Sequence, residues 1–201
     1  MLKADEMMAL FNLAIEDYHQ EDHVDQAMQN PFPKDSMQEM LYHKNWIDTV
    51  QWHLEDIIRD PNIEPAEALK IKRRIDASNQ DRTDMVEQVD DAILALYKEV
   101  KPQSFARLNT ESPAWAIDRL SILALKIYHM NIEAQREDID QALLEKNRYK
   151  LSVLRIQEED LSQAINQLLE DLATGKRTAK VYRQMKMYND PELNPVLYQK
   201  S

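Results

Sequence analysis

The sequence predicts an all-α, single-domain helical bundle spanning residues 1–201, with about five main helices. Three observations carry this. Apolar residues recur at helical spacing along nearly the whole chain, and the breaks coincide with prolines and Asn, Asp or Ser caps. A single glycine in 201 residues leaves almost no material for primed hairpin turns.

The first helix is expected near Leu2 to Tyr18, with Ala4, Met8, Phe11, Ile15 and Tyr18 on one stripe. A connection ending in NPFPKDS breaks it, and Asp35 or Ser36 can cap the second helix, roughly Met37 to Arg59. The third starts with Pro65 in its first turn and runs to about Val100, ahead of Pro102. Ser112 and Pro113 open the fourth as cap and first helical residue. A break near Arg136–Asp140 precedes the fifth, with Asp138 and Gln141 spaced as a capping box. Gly175 would end that helix in a left-handed conformation. The tail, residues 176–201, is expected to hold one short helical stretch before Pro191 and Pro195 force extended chain. Leu151, Leu154, Leu161, Ile165, Leu168 and Leu172 form a near-heptad seam on the fifth helix, suited to an antiparallel neighbour.

Composition excludes several kinds of chemistry. One glycine rules out phosphate-binding glycine loops and dinucleotide fingerprints, and no serine sits in a nucleophile elbow. No cysteine means no disulfide, thiolate metal site or cysteine nucleophile, which fits a reducing compartment. The N-terminus lacks the features of a signal peptide, and LSILALKIYHM is too short and too polar to span a membrane. A soluble, cytoplasmic protein is expected. The total charge is −11, but the tail carries +4 and the remainder −15. That acidic body argues against nucleic acid as a partner. The same body offers the tail an opposite charge, so the tail is expected to pack back on the bundle near a polar pocket. There it would bury Tyr182, Met185 and Tyr198, and close the pocket with Lys186 or Tyr188.

Helical wheels locate that pocket. On the second helix Met40, Ile47, Val50, Leu54 and Ile57 define the apolar direction, with His43 at its centre and His53 at its edge beside Trp46. On the third, Arg82 points down the face of Ile71, Ile75, Met85, Val86, Val89 and Ile93, flanked by Ser78 and Asn79. A buried arginine cannot shed its charge, so it needs a carboxylate such as Asp118, a phosphate, or several carbonyls. The fourth helix is apolar over most of its circumference. Its remaining strip carries Trp115, Asp118, Arg119, Ile122, Lys126, His129 and Glu133. If the three strips converge, they make a polar site inside the bundle. Each also has a plain reading: a core histidine, a structural ion pair, a solvated face. Asp84, Glu87 and Asp91 read as a solvated face, and Glu16-x-x-His19 alone cannot make a di-iron site.

The strings LYHKNWIDTVQWHLEDIIRDP (41–61), IKRRIDASNQDRTDMVEQVD (71–90), LNTESPAWAIDRLSILALKIYHM (108–130) and VYRQMKMYNDPELNPVLY (181–198) resemble the bacterial domain-of-unknown-function family numbered 4254. Its motifs include His43, Trp46, His53, Asn79, Arg82, Glu111, Asp118, Arg119, Lys126 and His129, with Lys186, Tyr188 and Asn189 in the tail. The resemblance implies a link to surface-polysaccharide assembly and supplies no residue roles.

The leading expectation is a pocket for a small anionic molecule, a sugar phosphate or nucleotide sugar. Arg82, Arg119 and Lys126 would supply the cations, with His43, His53, Asn79 and Trp115 around them. Asn109, Thr110 and Ser112 stand where a phosphate could meet the N-terminus of the fourth helix. If a reaction occurs, His129 would move the proton and Asp118 would orient it or act as base. They stand about three turns apart, so a ligand must bridge them. A second reading is a metal-dependent all-α hydrolase of the pyrophosphohydrolase type. It would use His43, His53 or His129 with Asp118, Glu55 or Asp56. No cofactor is otherwise expected. A third is an interaction module that docks a partner, or a second copy as a homodimer, through the fifth-helix seam or the tail.

Overall fold

The computed structural model describes residues 1–185, 187 and 190–199. Its order is α1 (Ala4–Tyr18), α2 (Met37–Ile57), α3 (Pro65–Leu96), β1 (Arg107–Leu108), α4 (Pro113–Glu133), α5 (Gln141–Ala173), β2 (Arg177–Thr178) and α6 (Pro195–Tyr198). The all-α bundle is as expected, and α4 is its hub, packed against α1, α2, α3 and α5.

Local chemistry sets the boundaries. Glu6 accepts the Lys3 N–H at 2.7 Å and Ser36 accepts that of Glu39 at 3.1 Å, each satisfying an unpaired donor at a helix start. For α5 the cap is Asp140, which accepts from Leu143 N at 2.8 Å, while Asp138 turns to Arg136. The third helix stops a turn before Val100, at Leu96. Gly175 takes φ +71° just past α5, as the left-handed cap requires.

The main core joins Phe11, Ile15, Leu41, Val86, Ile93, Ile117, Leu120 and Leu125; Tyr18, Tyr42 and Trp46 extend it at one end. The buried face of α2 departs from the sequence expectation. Its centre is Leu41, Tyr42, Lys44, Asn45, Asp48 and Thr49, whereas Ile57 is exposed and His43 only half-buried. Four polar residues inside the bundle rotate the true face away from the apolar average.

The tail docks, by a different force from the one expected. β2 pairs parallel with β1, Arg107 opposite Arg177. Arg183 then reaches Asp91 at 2.7 Å and Glu87 at 3.0 Å, so two members of the expected solvated stripe on α3 hold the tail. Tyr182, Met185 and Tyr198 stay exposed, so apolar burial does not hold it there. Pro195 starts α6 rather than extended chain, because its fixed φ suits a first helical turn and Asn194 caps it. Lys186 and Tyr188, expected over the pocket, lie outside the described residues.

Candidate functional site

Lys44, Asp48, Arg82 and Asp118 form a charge network between α2, α3 and α4. Lys44 Nζ contacts Asp48 Oδ2 and lies 2.6 Å from Asp118 Oδ1. Arg82 grips Asp118 with both ends of its fork, Nε to Oδ1 at 2.9 Å and Nη2 to Oδ2 at 2.5 Å. Ser121 donates to Asp48 at 2.6 Å and receives a bond from Asn45 at 2.9 Å. Two cations meet two carboxylates, which is how buried charge is tolerated. Burial pushes Asp48 above the usual carboxylate range, against the pull of Lys44. Burial opposes ionised Asp118 too, but Lys44 and Arg82 together hold it below that range. The expected Arg82–Asp118 pair is present. Lys44 and Asp48, central to it, were not singled out from the sequence.

The polar strip of α4 lines a trough beside this network. One cavity of about 330 Å³ is bounded by Asp48, Gln51, Trp52, Glu55, Asp56, Arg59, Arg82 and Ile122. A second, about 600 Å³, lies on the other side of Arg82 and Ile122, between α4 and α5, and takes in Asp118, Arg119 and Lys126. A third, about 560 Å³, continues past Lys126, Trp52 and His129 to Tyr149 and Leu154 of α5. Shared walls make these one run of concave surface. Arg119 reaches Glu111 at 3.3 Å, while Lys126 is exposed and makes no ion pair among the described residues.

At one end of this run three histidines meet. His53 Nε2 stands 3.3 Å from His19 Nε2, and His19 Nδ1 donates to the Ile15 carbonyl at 2.6 Å. A carbonyl only accepts, so the His19 proton sits on Nδ1 and Nε2 presents a lone pair. His129 stacks on Trp52 with centroids 4.7 Å apart and rings 4° from parallel, and its Nε2 is buried with no hydrogen-bond partner among the described residues. Burial, then the neighbouring imidazoles of His53 and His19, lower His129 to about 4; burial also lowers His53. In the sequence His19 stands only in the lone Glu16-x-x-His19 motif. That motif, at a helix end, was the only signal for it.

The remaining expectations scatter. His43 lies in neither the trough nor the histidine cluster, so the ligand set of His43, His53, His129 and Asp118 does not assemble. His129 and Asp118 are not partners, because Asp118 is committed to Lys44 and Arg82. Asn79 accepts from Gln51 at 2.9 Å, near the first cavity. Trp115 packs against the core. Asn109 binds Arg177 at 3.0 Å, and Thr110 is exposed beside it. The N-terminus of α4 is already occupied, since Asp90 accepts the Ala114 N–H at 2.8 Å. A phosphate at Asn109, Thr110 and Ser112 would have to displace that carboxylate.

Fold and site together define an all-α bundle with a paired charge network inside and a polar trough along its central helix. Residues 38–181 match the family described as Protein of unknown function (DUF4254), and the chain belongs to that family. No curated protein and no solved structure matches it. Among the described residues no helix is long and apolar enough to cross a membrane.

Proposed function

We propose that this protein binds a small anionic molecule, of the sugar-phosphate or nucleotide-sugar class, in the trough, and does so in the cytoplasm. The observation that carries the reading is the ammonium of Lys126, which has no ion-pair partner among the described residues and stands in the wall shared by the second and third cavities, the second of which Arg82 also borders. Asp118 fixes one edge of the Arg82 guanidinium, and Arg82 itself borders both the first and second cavities. An arginine oriented by a carboxylate can present its remaining donors to phosphate oxygens. Trp52, Ile122 and Leu123 add apolar surface for a sugar or base face.

Arg82 is charge-balanced by Asp118 and Arg119 is paired with Glu111, so net attraction comes chiefly from Lys126. The test is calorimetric titration with phosphorylated sugars and nucleotide sugars, on the full chain and on Lys126→Glu and Arg119→Glu. Both side chains are exposed, so the fold should be retained. Binding that falls at least tenfold in Lys126→Glu, with unchanged melting, supports the reading. Wild-type affinity in both variants, or no binding by the wild type, ends it. The nucleotide-sugar arm also tests the link to surface-polysaccharide assembly that the family resemblance implies.

A further inference from the structure

We propose that His19, His53 and His129 form a binding site for a divalent transition-metal ion, with zinc as the best fit and Asp22 as fourth ligand. The residues come from the end of α1, from α2 and from α4, so the site exists only in the folded bundle. One ring nitrogen from each histidine lies within 4.8 Å of the others. Two nitrogens on one tetrahedral zinc, each at about 2.0–2.1 Å, stand roughly 3.3–3.4 Å apart. The His19 and His53 Nε2 atoms stand 3.3 Å apart. The ring centroids are separated by 5.2, 5.6 and 5.7 Å, against roughly 5.2 Å for imidazoles radiating from such an ion.

The supporting groups are those a metal site needs. The bond from His19 Nδ1 to the Ile15 carbonyl fixes the tautomer that leaves Nε2 free to coordinate. Trp52 stacked on His129, and Tyr18 stacked on His53 at 5.0 Å, hold the other two rings in place. Asp22 adopts φ +51° at the end of the turn that follows α1, and its Oδ1 stands 3.7 Å from His53 Nε2 and 4.0 Å from His19 Nε2. That carboxylate is mostly exposed, so it can close the small remaining gap and also marks the way in from solvent.

The plain alternative is an aromatic cluster whose histidines are merely neutral core residues. A hydrogen bond between His19 and His53 then satisfies one edge of the triangle, but leaves the buried Nε2 of His129 unpaired, a costly arrangement in a folded interior. A metal ion, or a water in its place, resolves that. Three imidazoles and one carboxylate favour zinc, nickel or copper over magnesium and calcium, which take oxygen ligands.

Tag-free full-length protein, stripped with chelator and reloaded with zinc, should retain one zinc ion per chain by elemental analysis and melt several degrees higher. Magnesium should do neither. Cobalt(II) in the same site should give the intense visible absorption of a tetrahedral ion. His53→Asn and His129→Phe, the latter keeping the stack on Trp52, should weaken zinc binding by roughly 100-fold, and Asp22→Asn by about tenfold. Should the histidine variants misfold, the wild type still decides. Zinc should shift the ring NMR signals of His19, His53 and His129 while leaving those of His23 and His43 in place. Substoichiometric zinc after loading, or perturbation of His23 and His43 instead, overturns the site.

Discussion

Lys44 of α2 and Asp118 of α4 meet at 2.6 Å with almost no exposure of either side chain. That contact is the hub of the charge network, because the same carboxylate also takes both ends of the Arg82 fork. Removing it leaves two cations facing Asp48 alone. Asp118→Ala is therefore expected to cost about 3–5 kcal/mol in urea denaturation, the usual loss when one partner of a buried pair is deleted. A loss below about 1 kcal/mol would mean that water, rather than Asp118, compensates the two cations.

Lys44→Met tests the opposite sign. Burial already raises Asp48, and loss of the ammonium raises it further, so the variant favours the protonated acid. A carboxyl whose folded value lies above its unfolded one stabilises below the unfolded value and loses that contribution as pH rises through the folded value. The deficit of Lys44→Met against wild type should thus be larger at pH 8 than at pH 5. Equal deficits at both would show that Asp48 remains ionised without Lys44.

These two residues also show where sequence reading stops. The faces of α3 and α4 were legible, because their apolar positions outnumber the polar ones on the same side: Arg82 and Asp118 stood out against Ile75, Val86, Val89 and Leu120. The face of α2 was not, since Lys44, Asn45, Asp48 and Thr49 occupy its buried centre and cancel the apolar signal. A lysine and an aspartate four residues apart look like a surface pair; only Leu41 and Tyr42 beside them hinted otherwise. His19 escaped because its partners, His53 and His129, come from helices whose relative placement no local pattern encodes. The tail illustrates the converse. Its charge was legible, but its anchor depended on the spacing of Glu87 and Asp91 matching one guanidinium.

Gly175 is the position where glycine itself is required. A Cβ there would stand 2.5 Å from the Lys101 carbonyl oxygen, and φ is +71°. Gly175→Ala should lose about 1–2 kcal/mol from the left-handed conformation alone, with the carbonyl clash added. Asn usually tolerates such a φ but brings the same Cβ, so Gly175→Asn should be nearly as unstable. Thermal melts of both variants decide; an Asn variant matching wild type would mean that the Lys101 loop yields freely.

The anchor at Arg183 should matter for the tail and little for the bundle. Its pairs with Glu87 and Asp91 are half-exposed and open to solvent screening, so Arg183→Ala is expected to leave the stability of the bundle nearly unchanged. Chymotrypsin cleavage after Tyr182 should nonetheless quicken, and in wild type it should quicken with added salt as the pairs are screened. Deleting 177–201 also removes the pairing of β2 with β1 and should lower Tm measurably. Unchanged cleavage in Arg183→Ala would place the hold on the tail elsewhere.

Tyr18 carries the alkaline limit of the fold. It is fully buried between Trp46 and the histidines, and that burial, with the nearby Asp22 carboxylate adding to it, pushes its hydroxyl up to about 12. Tyr42 moves the same way, through burial and its 2.9 Å hydrogen bond to Asp17. In the unfolded chain both release their protons near pH 10. Above that pH the folded state therefore holds more protons than the unfolded one, and stability falls as pH rises. For Tyr18 the loss amounts to about 2–3 kcal/mol by pH 12. Tyrosinate absorbance should thus show these two rings ionising last among the eight tyrosines, together with loss of helix by circular dichroism. Tyr42→Phe should remove one late-titrating ring while leaving the other. If all tyrosines ionise together near pH 10 with the helices intact, Tyr18 is not sealed from water in the way its burial requires.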